Sequence, residues 1–208
     1  MSGRLAILGA GGHGRVVADA AAFGGWDEIV FFDDHTGTAQ GTLADLLDGL
    51  ADFTGVIVGI GTNRYRRRAT MELQAQQAPL VNVLHPSAVI STCARLGIGV
   101  FAAPLAVAGP DAEIGDGAIL NTSSSVDHDA RIGAYAHIAP GTHLSGAVTI
   151  GSGAWIGIGS AVREGVAIGD WTMVGAGSVV TGDLPARIVA YGNPARSRRV
   201  LSTEELEC

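Results

Sequence analysis

The sequence predicts an α/β half-domain followed by a parallel β-solenoid, and three observations predict it. An aliphatic residue recurs at every sixth position in one phase, from Ile114 through Leu120, Val126, Ile132, Ile138, Leu144, Ile150, Ile156, Val162, Ile168 and Val174 to Val180. The stretch from Arg4 to Asp34 instead reads strand, glycine turn, helix, strand. Glycine accounts for 31 of 208 residues and aromatics for only 5%, which suits tight backbone corners and not a bulky helical core.

The elements follow in chain order. "RLAIL" is a strand, and "GAGGHG" places Gly9, Gly11 and Gly14 in G-x-G-x-x-G spacing. "RVVADAAAF" reads as a helix and "EIVFFDD" as a second strand ending at Asp33 and Asp34. This is a Rossmann-like βαβ unit with a phosphate-type turn and an acid about 20 residues on. Only roughly 80 residues precede His85-Pro86, about half of a two-lobed dinucleotide fold, so one nucleotide is expected. Backbone N–H groups at the helix start would hold its diphosphate. The alternative is a tight strand–helix turn with no ligand. "GVIVGIG" is a third strand, and "TNRYRRRATMELQAQQ" a helix. Arg64, Arg66, Arg67 and Arg68 read mainly as its solvated face, with one in reach of a phosphate.

The hexapeptide phase extends back through Ala108, Ala102, Leu96 and Ile90 to Leu84. Two positions before the aliphatic the side chain is usually small, as at Ala118, Ala136, Ala154 and Ser160. Both point inward and the residue between them points out. Glycine often follows the aliphatic, as at Gly133, Gly151 and Gly169, and is expected to relieve the corner. Three hexapeptides close one coil, and coils stacked about 4.8 Å apart form the core. The expected domains are 1–83, 84–184 and a tail of 185–208. In the tail, Ser202 and Glu205 have capping-box spacing, predicting a short helix over the open end of the solenoid. Arg196, Arg198 and Arg199 precede it and suit phosphate contacts.

A net charge of −7 argues against a nucleic-acid partner. No apolar run reaches membrane-spanning length, and "LAIL" is too short for a signal-peptide core, so no membrane partner is expected. Cys93 and Cys208 form no disulfide framework or metal motif, which fits a reducing cytoplasm.

"VDHDARIGAYAHIAPGTHL" holds His128, His137 and His143, and a histidine cluster suggests either a metal site or a proton-transfer site. His128 and His137 are half a circuit apart; His137 and His143 are one hexapeptide apart, on adjacent faces. His128 and His143 also fall short of a full circuit. No two share a column, so within one chain they cannot ligate one metal. They meet only if chains pack side by side. His137 and His143 precede inward aliphatics and so point outward. His128 lies at a corner beside Asp127 and Asp129, where a carboxylate can fix its tautomer and raise its basicity. Gly146 stands one full circuit after His128, making its N–H a candidate oxyanion donor one coil on. Pro140, Ile158 and Ala176 are likewise separated by full circuits and form one ridge.

The stretches "GAGGHGRVVADAA", "FFDD", "GIGTNRYR", "NVLHPSAVIS", "NTSSSVDHDARIG", "AHIAPGTHLSG" and "YGNPAR" span nearly the whole chain. Together they resemble the bacterial nucleotide-sugar acetyltransferases of the hexapeptide-repeat superfamily. That group includes UDP-4-amino-sugar and GDP-perosamine N-acetyltransferases and sialic-acid O-acetyltransferases. The resemblance implies a left-handed parallel β-helix, a homotrimer with intersubunit active sites, acetyl-CoA as co-substrate and no metal. It implies transfer to the amino group of a nucleotide-linked amino-sugar, with O-acetylation of a sialic acid or other sugar as the alternative. By match, His128 is the general base and Asp129 its partner. Acetyl-CoA contacts fall on His137, Ile158, Gly175 and Ala176, with Pro140 in the same ridge and Arg196 among the tail arginines. Nucleotide-sugar contacts fall on Gly11, Gly12, His13, Asp33, Asp34, Gly61, Asn63 and Arg66. A γ-type carbonic anhydrase fails the column test and lacks the βαβ unit; a non-catalytic nucleotide-sugar-binding solenoid is the other rival.

Overall fold

A computed structural model describes residues 3–37 and 39–207. Strands β1 (Arg4–Leu8), β2 (Glu28–Phe32) and β3 (Gly55–Val58) form a parallel sheet in the order β2–β1–β3. Helices α1 (Gly12–Ala21), α2 (Leu43–Asp48) and α3 (Asn63–Ala75) connect and cover it. The central strand reads as an unbroken apolar run because both its faces are covered. Leu5 and Ile7 pack with Val17 and Ile57 on one side, and Ala6 and Leu8 with Leu46 and Leu73 on the other. The third glycine of the fingerprint, Gly14, lets α1 lie close on the sheet: a Cβ there would overlap the Gly9 carbonyl oxygen.

From β4 (Val83–Leu84) to β20 (Val179–Val180) the chain runs as two-residue strands in three parallel ladders. The first face carries Ile119, His137, Trp155 and Met173 in register, each one circuit on from the last. Ser125, His143 and Ala161 follow one another on the second face, and Glu113, Arg131 and Thr149 on the third. The inward aliphatics form one core along the axis, from Ala102 to Val180, closed by Leu184, Ile188, Ala190 and Ala195.

The corners differ from expectation in one physical respect. The left-handed residue comes three positions after each aliphatic and is often not glycine: Ser123, Asp129, Tyr135, Ala147 and Trp171 all have φ near +60°. The glycine directly after the aliphatic answers a different need. A Cβ on Gly133 would overlap the backbone of Ser152 on the next coil. Close stacking of coils, not corner dihedral strain, demands it.

The tail is a hairpin with a short helix. Strand β21 (Ile188–Gly192) pairs parallel to Met173–Val174, and β22 (Ala195–Val200) pairs antiparallel to β21, extending the first face. Helix α4 (Thr203–Glu207) follows. Ser202 Oγ accepts the Glu205 N–H at 3.3 Å and Glu205 Oε2 accepts the Ser202 N–H at 2.9 Å, the reciprocal pair the spacing predicts. Cys208 lies outside the described residues, and Cys93 is an exposed thiol. Among the described residues no helix is long and apolar enough to cross a membrane.

The N-terminal domain sits on the first face. Phe101 and Ile119 join the core that Leu5, Ile7, Val17 and Ile57 form under the sheet. That seat decides where the histidines lie.

Candidate active site

A cleft of about 790 Å³ opens at the carboxyl end of the three-stranded sheet, the usual ligand position in such sheets. Gly11, Gly12, His13, Asp33, Asp34 and Gly61 line it, together with Thr42, Leu43, Tyr65 and Arg68. A Cβ on Gly11 would meet nothing within 4 Å, so bare backbone faces the open space. Gly11 caps α1 without any side-chain bond, and no acidic residue stands in the first turn of that helix. The partial positive charge of the helix start is therefore available to an anion. Asp33 is committed to the turn itself: its carboxylate accepts N–H groups from Ala10 at 2.7 Å and His35 at 2.8 Å. Although burial opposes ionisation, these backbone donors hold its pKa below the usual carboxylate range. Asp34 accepts the Leu43 N–H at 2.9 Å. Arg68 is the helix arginine at the cleft.

Asn63 and Arg66 do not line the cleft. Both are buried in the seam between α3 and the solenoid. Asn63 Nδ2 donates to the Gly153 and Ala154 carbonyls at 3.0 and 3.1 Å. Arg66 Nε donates to the Gly117 carbonyl and Nη2 to that of Tyr135, each at 2.7 Å. The reading of α3's arginines as a solvated face fails at Arg66 because the solenoid corner covers that face.

His137 is also covered. It is 4% exposed, where an outward solenoid position predicts a solvated ring. The N-terminal domain lies over it, with His13 6.0 Å away ring to ring, and Trp155 of the next coil packs against it at 4.2 Å. Asn121 Nδ2 lies 2.9 Å from Nε2, an arrangement that makes Nε2 the acceptor of the neutral ring. Burial, then the Arg66 charge and His13, push the His137 pKa down to about 3. Burial and the Arg66 charge push His13 down to about 4. Both imidazoles are uncharged at neutral pH. His13 Nε2 is buried with no hydrogen-bond partner among the described residues, beside the cleft it lines. The sequence offered no sign that His13, Asn121 and His137 meet, because the domain seat sets it.

His128 stands on the corner between the second and third faces, across the solenoid from the N-terminal domain. Its Nδ1 is 2.7 Å from Asp129 Oδ2, and the ring is largely exposed. The bond to Asp129 raises its pKa, and the Asp127 charge adds to this. Asp129 reaches the ring from a left-handed backbone, φ 58°, at the corner. With Nδ1 bound to the carboxylate, Nε2 is the free nitrogen. It lies over Gly146, where a Cβ would come within 2.6 Å of it, and Ala147 N donates to the His128 carbonyl at 2.8 Å. One coil up from His128 there is room only for glycine. His143 is exposed and bonded to Ser125 Oγ at 2.8 Å, one coil below on the second face. Among the described residues no three His, Cys, Asp or Glu side chains converge as metal ligands.

The ridge of Pro140, Ile158 and Ala176 runs along the corner between the first and second faces. Gly159 N donates to the Pro140 carbonyl at 3.0 Å and Gly177 N to that of Ile158 at 2.8 Å, fixing the column. Ile158 is 56% exposed. Above Gly175 comes Tyr191, where a Cβ on the glycine would come within 2.8 Å of the Tyr191 Cβ. Arg198 lies over the Tyr191 ring at 4.8 Å. Arg196 pairs opposite Tyr191, so both arginines share its side of the hairpin. Arg199 is bound to Glu205 by two bonds of 2.6 and 2.7 Å and is not a free cation. The three tail arginines thus divide into two available and one engaged.

Residues 4–73 match the family model of the PglD N-terminal domain, and residues 147–182 that of the bacterial transferase hexapeptide, six repeats. The acetyltransferase domain of PglB from Neisseria gonorrhoeae, solved with acetyl coenzyme A, is 38% identical; the match covers 95% of this chain and 100% of that one, with a TM-score of 0.91. PerB from Caulobacter crescentus, solved with CoA and GDP-perosamine, is 37% identical over 95% of this chain and 98% of its own, with a TM-score of 0.90. WeeI from Acinetobacter baumannii is 27% identical over 95% and 100%, with a TM-score of 0.77.

Proposed function

This chain belongs to the nucleotide-sugar acetyltransferases built on hexapeptide repeats, and on that premise we propose that it moves the acetyl group of acetyl-CoA to the amino group of a nucleotide-linked sugar. The observation that carries the chemistry is His128: Nδ1 tied to Asp129 at 2.7 Å, Nε2 free above Gly146. Asp129 fixes the tautomer that leaves Nε2 as an acceptor. The amine attacks the thioester carbonyl, and Nε2 takes the proton the amine loses. As the carbon–sulfur bond breaks, that proton passes to the departing sulfur, releasing the thiol and restoring the neutral imidazole. The Gly146 N–H, which donates to no group among the described residues, is the proposed donor to the developing oxyanion.

The cleft is the acceptor site. The diphosphate rests on the open backbone of Gly11 and Gly12 at the start of α1, with Arg68 supplying a cation. Asp34, His13 and Gly61 face the nucleotide and sugar, while Asp33 holds the turn in shape. The acetyl-CoA arm lies along Pro140, Ile158, Gly175 and Ala176, an open ridge. Tyr191, Arg196 and Arg198 at its far end suit an adenine face and phosphates.

The cleft and His128 sit on opposite sides of one solenoid. A neighbouring subunit must supply the missing half, which supports a homotrimer with sites between chains. Release of CoA thiol, followed with UDP-, GDP- and dTDP-linked amino-sugars and with free sialic acids, tests the reading. Turnover restricted to the nucleotide-linked amines is expected. Turnover on sialic acid alone would replace it with O-acetylation.

A further inference from the structure

We propose that Arg66 is a positioning residue that sets the cleft in register with the solenoid, so that a nucleotide-bound acceptor is delivered at the right height for transfer. This rests on the acetyltransferase reading above. All five N–H groups of the guanidinium are used. Nε meets the Gly117 carbonyl, Nη2 meets Tyr135 and the Asn63 side chain, and Nη1 meets the Ile60 and Gly61 carbonyls at 2.9 Å each. Ile60 and Gly61 line the cleft, whereas Gly117 and Tyr135 are the left-handed corner residues of two successive coils. Asn63 then carries the contact to the third coil, at Gly153 and Ala154. One turn of α3 therefore spans three coils, and a single planar group joins the wall of the cleft to two of them.

The chemistry of the site favours position over simple adhesion. Arg66 is 1% exposed, and every partner is a neutral oxygen. A buried cation without a carboxylate is a costly way to glue two surfaces. A guanidinium does, however, impose a fixed planar geometry on its five acceptors, which a lysine does not. Burial first, and then its charge, keep its neighbours His13 and His137 neutral, so neither imidazole competes with the guanidinium as a cation in the seam.

The test compares Arg66→Lys with Asn63→Ala, which keeps the charge and loses the third-coil contact. Calorimetry with the nucleotide-sugar that wild type turns over, and with acetyl-CoA, should give affinities within about twofold of wild type, because neither ligand site is removed. The kcat should fall by roughly 10²-fold in Arg66→Lys, the usual effect of a displacement of about 1 Å, and by less in Asn63→Ala. A folded Arg66→Lys enzyme with wild-type kcat overturns the proposal, as does parallel loss of kcat and both affinities. If Arg66→Lys does not fold, the same split in Asn63→Ala decides. Amide exchange separates this from the function itself. Faster exchange at residues 60–62, 117 and 135 with β1 still protected supports the joint even if no acceptor is turned over; unchanged exchange defeats it whatever the acceptor proves to be.

Discussion

At the scale of single residues the proposed transfer rests on the pair His128 and Asp129. Replacing His128 by Ala should lower kcat by ~10² to 10⁴ while acetyl-CoA affinity stays near wild type, since a general base acts on the moving proton and not on the cofactor. Equal turnover in the two enzymes would remove the assignment. Asp129→Asn should cost less and should also move the acidic limb of the pH–rate profile. The sign follows from the charge: Asp129 raises the His128 pKa, so removing it lowers the pH below which the base is protonated and idle. A limb that moves to higher pH would show that Asp129 is not the partner that matters. That Gly146 stacks one coil on from His128 was legible from numbering alone, because a circuit of three hexapeptides turns sequence separation into position. The roles expected of His128 and Asp129 came instead from the family resemblance of "SSSVDHD". Arg66 and His137 were not. Each faces outward on its own element, and only the seat of one domain on the other buries them.

At the scale of elements, the entry into α1 holds glycines of two kinds. Gly14 is required by packing, because a side chain there overlaps Gly9. Gly11 has nothing within 4 Å, and Gly12 only the end of the Arg15 side chain at 4.0 Å. Gly12→Val should therefore fold normally, raise KM for the sugar nucleotide and leave that for acetyl-CoA unchanged. Gly14→Val should fail earlier, in thermal stability. If Gly12→Val raises both KM values together, the cleft is not the acceptor site. The G-x-G-x-x-G spacing announces such a turn but does not say which glycine faces a ligand; that depends on how close the helix comes to the sheet. The solenoid shows the same division. Hexapeptide spacing revealed the coils, yet the stacking role of Gly133 becomes visible only when the next coil is in place.

At the scale of the whole molecule, the cleft and His128 lie on opposite sides of the solenoid, so the proposed reaction requires a second chain to complete the site. Light scattering should report a trimer, and a monomer that turns over at the full rate would contradict the intersubunit reading. The tail refines the expectation for acetyl-CoA. Arg196→Ala with Arg198→Ala should weaken its binding and flatten the salt dependence of that binding, whereas Arg199→Ala should leave both alone, being already engaged with Glu205. Equal effects from the two changes would take phosphate recognition away from the hairpin. The stacking of residues in columns has one more consequence. The ridge from Pro140 through Ile158 and Ala176 to Tyr191 is a ruler graduated in coils, each about 4.8 Å. Its length can change only by whole graduations, since an insertion of any other size would rotate every later residue onto a different face. On the proposed reading of this ridge as the acetyl-CoA site, the distance from the Pro140 coil to the tail hairpin is set in discrete steps. A chain with one coil more or fewer is expected to hold the nucleotide end of its thioester one step farther from or nearer to that coil.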